Sequence, residues 1–211
     1  MNRLEMRQKI QYEILKRLRK QTGCCYVPVA ASGRHVHLSR KDVDILFGKG
    51  YCLHILRPLS QPNQFAAQET VTICGLKGKL ENVRVLGPER EQTQVEISLT
   101  DSFKIGVKPI VRMSGEIDGT PGIELIGVAG NVALAQGTII SARHLHLSEE
   151  QVKWLGLKNG EIVSLKSDGQ RAVVYENVIV RSGVGHEMEF HLDTDEANAA
   201  GLKNGDLLKL I

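Results

Sequence analysis

The chain has 211 residues, 42% of them hydrophobic and 24% charged, which is typical of a globular protein with room for one large domain or two small ones. Its 27 basic and 24 acidic residues leave a net charge of +3, too small to indicate nucleic-acid or membrane-surface binding. No apolar run approaches the roughly 20 residues that a membrane-spanning helix needs, and a signal-peptide core is missing, so we expect a cytoplasmic protein.

The cysteines argue against an extracellular disulfide framework. They form no Cys-x-x-Cys pair, and their spacing is unlike that of small secreted proteins. We therefore expect all four to be reduced and buried: Cys24, Cys25, Cys52 and Cys74.

The first predicted element is an amphipathic helix over residues 3–20. Its apolar side chains recur at helical spacing opposite a basic face, at Leu4, Met6, Ile10, Ile14, Leu15 and Leu18. Gly23 suits the left-handed position that follows a helix, so we expect the helix to end before it. The next run, 26–31, is short and extended.

A six-residue phrase then occurs twice, as RHVHLS at 34–39 and as RHLHLS at 143–148. Side chains alternate along a strand, so each His-x-His triplet places both imidazoles on one side, close enough to hold one metal ion. The copies are 144 − 35 = 109 residues apart. They predict either two metal sites or one site built from both halves.

Each phrase ends in a serine that precedes a short charged stretch with helical character, at 40–47 and at 149–155. Serine is a preferred N-cap residue, and Ser148 with Gln151 fits the capping box. The pattern strand, cap and short helix is therefore predicted twice, with the imidazoles near the end of the strand.

The remaining elements read as strands separated by glycine and proline. Between the phrases we predict strands at 71–74, 80–86 and 94–99, and after the second phrase at 161–166, 172–180 and 187–192. Residues 48–68 look like an irregular insertion or a long connection, and a Gly-Leu-Lys-Asn-Gly turn recurs within 155–161 and 200–206. Together they favour a compact β-barrel with short capping helices.

Two further residues are candidate ligands. His191 lies at a strand end before an acid-capped helix, and Glu96 lies in a strand between Val95 and Ile97. Three imidazoles with one open position are the usual arrangement of a catalytic zinc, and a carboxylate can replace one of them. Spacing alone leaves open which ligands belong to which histidine pair.

Other histidines and arginines have plainer interpretations. His54 and His186 lack evident partners and are expected to be ordinary surface or core residues. Arg34 and Arg143 precede the histidine pairs and point to the opposite face if the strand is regular, so structural pairing and phosphate binding both remain open for them.

Several longer motifs occur along the chain in a fixed order: RHVHLS, LGPEREQTQVEIS, VRMSGEIDGTPGIEL, RHLHLS and FHLDTDEANAAGLKNGD. On these motifs the chain, from about residue 26 to the end, resembles the PduL-type phosphate propanoyltransferases. It implies a mainly β fold of two β-barrels with short helical caps and an N-terminal helix within 1–23. One barrel would combine 24–33 with 142–211, and the other would be 34–141 with the insertion 48–68.

The resemblance also implies a site with two zinc ions per chain. One zinc would be held by His35, His37 and Glu96, and the other by His144, His146 and His191. Arg90 would bind phosphate, and its planar, permanently charged group suits phosphate oxygens better than lysine would.

The implied reaction converts an acyl-CoA and phosphate into an acyl phosphate and free CoA, with propanoyl-CoA or acetyl-CoA as the donor. A thiolate is a good zinc ligand, so one metal can hold the CoA sulfur while the other orients phosphate for direct attack on the thioester. Arg112 and Ser114 share a strand face and are weaker candidates for contacting phosphate or CoA. The alternatives are a dinuclear zinc hydrolase and a non-catalytic β-barrel binding module held together by zinc.

The remaining open predictions concern partners and location. Some members of the family carry an amphipathic extension that directs them into a bacterial microcompartment, and residues 1–20 are a candidate for such a shell-binding peptide. The same helix could instead be a structural element or a self-association surface. The family suggests a homodimer.

Overall fold

The computed structural model describes residues 3–211, and Met1 and Asn2, which begin the predicted segment 1–23, lie outside the described residues. The chain is mainly β with short helices and a longer N-terminal one, so the predicted fold class is confirmed. Within residues 3–211 the elements in chain order are α1 (Arg3–Thr22), β1 (Tyr26–Ser32), β2 (His35–Ser39), α2 (Arg40–Phe47), β3 (Ile55–Pro58), β4 (Phe65–Cys74), β5 (Lys79–Arg90), β6 (Gln94–Glu96), α3 (Leu99–Ile105), β7 (Ile110–Arg112), β8 (Ile123–Ile126), β9 (Asn131–Leu134), β10 (Thr138–Ser141), β11 (His144–Leu147), α4 (Glu149–Leu155), β12 (Ile162–Lys166), β13 (Val174–Ser182), β14 (Glu189–Asp193), α5 (Thr194–Ala200) and β15 (Leu207–Leu210).

The first unit consists of the described residues up to Ser32 together with Ser60–Pro62 and Arg143–Ile211. Its strands form a closed barrel in the order β1, β14, β11, β13, β12, β15. Leu145 and Leu147 alternate with the histidines of β11 and belong to the barrel core. Helix α1 packs on this core through Leu15, which lies on the apolar face that the amphipathic pattern predicts.

The second unit consists of Gly33–Leu59 and Asn63–Ala142. Its strands form one sheet in the order β7, β10, β6, β2, β5, β4, β8, β9, with β3 added beside β4. The sheet is a curled half-barrel and not a closed barrel, because within residues 3–211 the terminal strands β7 and β9 each pair along one edge only.

The two units repeat the same order of elements around their histidine pairs. The sequence Glu-Asn-Val occurs at 81–83 and again at 176–178, and both asparagines adopt a positive φ, 56° at Asn82 and 58° at Asn177. These copies are 177 − 82 = 95 residues apart, whereas the histidine phrases are 109 apart. The chain therefore has 109 − 95 = 14 more residues between the first phrase and Asn82 than between the second phrase and Asn177, and the longer stretch includes the predicted insertion.

Local signals account for the helix ends. Ser39 and Ser148 cap α2 and α4, the capping box of Ser148 with Gln151 is present, and Gly23 has a φ of 71° after α1, all as predicted. Asp193 caps α5, the acid-capped helix expected after His191. None of the helices in residues 3–211 is long and apolar enough to cross a membrane.

Three local predictions were wrong. The strand predicted at 94–99 ends at Glu96, because Ser98 and Asp101 form a capping box that starts α3. The segment 48–68 is not wholly irregular, since β3 and the start of β4 pair within it. The cysteines are free but none is buried: Cys52 lies exposed in a segment without regular structure, and Cys24, Cys25 and Cys74 are partly exposed.

Candidate metal and phosphate site

The first histidine pair lies on β2, beside the antiparallel strand β6. The register places His35 opposite Glu96 and His37 opposite Gln94. One ligand atom from each of His35, His37 and Glu96 lies within 4.8 Å of the others, and the two imidazole centroids are 5.0 Å apart. Strand alternation and register together therefore bring two nitrogens and a carboxylate to one point.

A backbone contact determines which nitrogen of His35 faces this group. Nδ1 lies 2.8 Å from the carbonyl oxygen of Gly33 and donates its proton to it, while Nε2 lies 3.5 Å from Oε2 of Glu96. Burial disfavours a charge on either side chain, but the attraction between them outweighs that cost. The pKa of His35 is therefore raised, and the pKa of Glu96 lies well below its ordinary value.

His37 carries the clearest sign that this group fits a cation. The residue is 3% exposed, and its Nδ1 has no partner in hydrogen-bonding geometry among residues 3–211. Burial, with the positive charges of His35 and Arg90, keeps the pKa of His37 well below its ordinary value, so the ring is neutral, as a metal ligand must be. A neutral imidazole has one nitrogen lone pair available as an acceptor, and a cation bound by this ring would use that lone pair.

Arg90, at the end of β5, is connected to the same group through two neighbouring side chains. Its Nη1 donates to Oγ of Ser114 at 2.9 Å. Nε2 of Gln94 also donates to that oxygen, at 2.9 Å, and to Oε1 of Glu96 at 2.6 Å. Sequence reasoning did not single out Gln94, although its place two residues before Glu96 puts both on one face of β6.

The second histidine pair lies on β11. His144 lies opposite His191 on the antiparallel strand β14, and one nitrogen from each of His144, His146 and His191 lies within 4.8 Å of the others. The ring centroids are 4.7 Å apart for His144 and His146, 4.9 Å for His144 and His191, and 4.8 Å for His146 and His191. Burial, followed by the charges of the neighbouring histidines, lowers the pKa of His146 far below 6.5, so its ring is neutral.

Two residues beside the three histidines were not predicted. The ring of His186 stacks on that of His146 at 4.5 Å between centroids, and their Nδ1 atoms are in contact, so the expectation that His186 lacks a partner is wrong. Glu189 accepts a hydrogen bond from Nε2 of His191 at 2.9 Å. The sequence did contain a signal for Glu189. It lies two residues before His191 on β14, and the alternation of side chains along a strand places both on one face.

The arginines that begin the two phrases form ion pairs with carboxylates of their own units. Nε and Nη2 of Arg34 donate to both carboxylate oxygens of Asp101 at 2.8 and 2.6 Å, and Arg143 pairs with Glu196. Asp101 and Glu196 each lie in the first turn of the helix that follows β6 or β14. Each arginine therefore ties the start of a histidine strand to the helix that begins after the third ligand.

The other two predicted candidates, Arg112 and Ser114, have different contacts. Arg112, on β7, donates to the carbonyl oxygen of the adjacent Val111 at 3.2 Å, while Ser114 belongs to the Arg90 network. His54 also has a partner, contrary to expectation, since its Nδ1 lies 2.8 Å from Oε1 of Glu69.

The structure thus assembles, each within its own unit, the two ligand sets that the resemblance implies. The donors are imidazoles and one carboxylate, which suit zinc and related divalent ions. Metal binding by these residues and phosphate binding by Arg90 stay predictions.

Comparison with known proteins places the chain among enzymes of one family. The family model for phosphate propanoyltransferases matches residues 28–203. A phosphate propanoyltransferase of Thermotoga maritima is 48% identical over 200 residues, which cover 94% of each chain. Relatives of the same name are 48% identical in Rhodobacter capsulatus, covering 90% of this chain and 88% of the relative, and 42% identical in Enterococcus faecalis, covering 97% of each. The chain therefore belongs to the phosphate propanoyltransferase family of acyltransferase enzymes.

Proposed function

We propose that this protein is a zinc-assisted phosphate acyltransferase that interconverts a short-chain acyl-CoA and phosphate with an acyl phosphate and CoA. Propanoyl-CoA and acetyl-CoA are the two donors that we expect it to accept. The observation that carries the proposal is the coupling of Arg90, through Ser114 and Gln94, to the buried group of His35, His37 and Glu96. A fixed cation beside a set of metal ligands is an arrangement suited to phosphate.

The chain's own residues divide into ligands and anion-binding groups. His35, His37 and Glu96 would hold one zinc ion, and the three-histidine set would hold the other. When bound, zinc supplies a Lewis acid for phosphate or carbonyl oxygen and an affinity for thiolate sulfur. Arg90 would bind phosphate oxygens through its planar donors, and the hydroxyl of Ser114 would keep the guanidinium in place.

We further propose that phosphate attacks the thioester directly. A phosphate oxygen forms the new bond to the carbonyl carbon, the carbon–sulfur bond breaks, and the sulfur leaves with the bonding electrons as the CoA thiolate. Charge that develops on the carbonyl oxygen would be stabilised by fixed positive groups, of which Arg90 is one. Within residues 3–211 no cysteine belongs to either ligand set, which supports a route without a cysteine acyl-enzyme.

The decisive test is CoA release from propanoyl-CoA and from acetyl-CoA, with and without inorganic phosphate, on protein of measured zinc content. We expect two zinc ions per chain and CoA release that requires phosphate. Release that proceeds equally without phosphate would identify a hydrolase, and tight zinc without turnover would identify a binding module. An isotope-labelled acyl group trapped covalently on the protein without phosphate would contradict direct attack.

We also propose that α1 mediates association, either with a microcompartment shell or in a homodimer. Leu15 of α1 is buried, but Met6, Ile10 and Ile14 of the same helix are 48%, 55% and 56% exposed. Replacing these three exposed residues by glutamine leaves the buried contact intact. Unchanged recovery with shell proteins and an unchanged solution mass would contradict both forms of the proposal.

A further inference from the structure

Glu189 is a carboxylate held against the three-histidine set by several donors. Its Oε2 accepts from Nε2 of His191 at 2.9 Å and from Nε2 of Gln61 at 3.2 Å, and the hydroxyl of Ser60 also donates to it. Gln61 is itself fixed, because its Nε2 donates to the carbonyl oxygen of Glu187 at 3.1 Å and its Oε1 accepts from the Glu187 N–H at 3.2 Å. The side chain of Glu189 is only 16% exposed. Its carboxylate position is therefore determined by the fold.

The internal repeat assigns Glu189 a counterpart in the other histidine centre. His35 lies opposite Glu96 and His144 lies opposite His191, so the third ligand of each set occupies the same register position. By the same register, Gln94 lies opposite His37 and Glu189 lies opposite His146. Gln94 contacts the third ligand of its own set, Glu96, just as Glu189 contacts His191.

The two centres thus contain the same number of carboxylates at exchanged positions. In one, the carboxylate is the third ligand, Glu96, and its neighbour is the amide Gln94. In the other, the third ligand is the imidazole of His191, and its neighbour is the carboxylate Glu189. Three imidazole ligands contribute no negative charge and leave the full double charge of a divalent cation uncompensated, and one carboxylate in contact with a ligand halves it. A carboxylate bonded to a metal-binding histidine also orients the ring.

We propose that Glu189 is the charge-compensating and positioning residue of the three-histidine centre, acting through its contact with His191. This inference rests on the proposed metal role of His144, His146 and His191. Glu189 would strengthen binding of a divalent cation there without being one of the three imidazole ligands. The equivalent position in the other centre, Gln94, needs no charge because Glu96 supplies it.

The test is a zinc titration of metal-free full-length protein against a coloured chelator, comparing wild type with Glu189→Gln. Glutamine keeps the size of the side chain and is the residue found at the equivalent position 94. Mutating a residue that hydrogen-bonds to a metal ligand typically lowers metal affinity by roughly 10- to 100-fold. We expect one of two zinc sites to weaken by about that factor while the other is unchanged. Glu187→Gln is the matched control, because it removes a nearby charge that contacts Gln151 and not a histidine, and both sites should keep their affinity.

The outcomes separate this inference from the proposed function. Two zinc affinities that match wild type in a folded Glu189→Gln protein would overturn the role of Glu189 and leave the metal-assisted reaction intact. Wild type that binds no zinc would remove the metal role and this inference with it. Circular dichroism of the metal-free variants checks the fold. If Glu189→Gln does not fold, Glu189→Asp is titrated instead, with weakening of the same site expected and an unchanged affinity again overturning the proposal.

Discussion

Replacing Arg90 by lysine is the sharpest test of whether the Arg90 guanidinium binds phosphate in this protein. Arg90 presents a planar set of donors, and its Nη1 is directed by Oγ of Ser114 at 2.9 Å. Lysine keeps the charge but loses the fork, so at least one charge-assisted hydrogen bond to phosphate is lost, worth about 1.5–3 kcal/mol. At about 1.4 kcal/mol for each factor of ten, kcat/KM for phosphate should fall roughly 10- to 150-fold.

The assay is initial-rate CoA release at varied phosphate with saturating propanoyl-CoA. A rise in KM at constant kcat would mean that Arg90 binds phosphate equally in the ground and transition states, whereas a fall in kcat would place its contribution in the transition state. Arg112→Lys is measured alongside, because that guanidinium contacts only the adjacent Val111 carbonyl among the bonds described above, and its effect should be less than about threefold. A folded Arg90→Lys protein with wild-type kinetics, or a larger effect at Arg112, would refute the reasoning.

Three further predictions concern the scaffold of the ligand sets. In chelator-treated protein, His146 is neutral when folded and takes up a proton below about pH 6.5 when unfolded, so the free energy of unfolding, measured in urea, should fall as pH drops from 6.5. Its share is at most about 1.4 kcal/mol per pH unit, and His146→Gln should reduce the slope by that share; an identical slope in the variant would contradict this. Gln94→Leu removes the donor to Oε1 of Glu96 and should weaken zinc binding at that centre by about 10- to 100-fold in a chelator competition, and unchanged affinity would count against it. Asp101→Asn weakens both hydrogen bonds from Arg34 and the cap of α3. The free energy of unfolding in urea should fall by about 2–3 kcal/mol, less than for a fully buried ion pair because the Arg34 side chain is 46% exposed. A loss below about 0.5 kcal/mol would show that this pair does not stabilise the fold.

Several parts of the fold could be predicted because their signals are local. The helical spacing of residues 3–20, the serine caps after each His-x-His phrase and the alternation of the strands each depend on neighbours within a few residues. The missed helix α3 had a local signal too. Ser98 and Asp101 form its capping box, and the alternation that precedes them concealed it.

Other features depended on contacts between distant segments and could not be predicted from spacing. Gln61 reaches Glu189 across 128 positions of sequence, and no periodic pattern connects the two. The contact of His186 with His146 likewise follows from the path of the loop between β13 and β14.

The sequence by itself determined which side chains share a strand face, since alternation is a property of the backbone, and its motifs identified the family. Only the tertiary structure decided which strands are neighbours and in what register, and hence that Glu96 lies opposite His35 while His191 lies opposite His144. Register is set by the packing of whole strands against one core, so it lies beyond the reach of any short motif. The same packing decided that one sheet closes into a barrel and the other stays open.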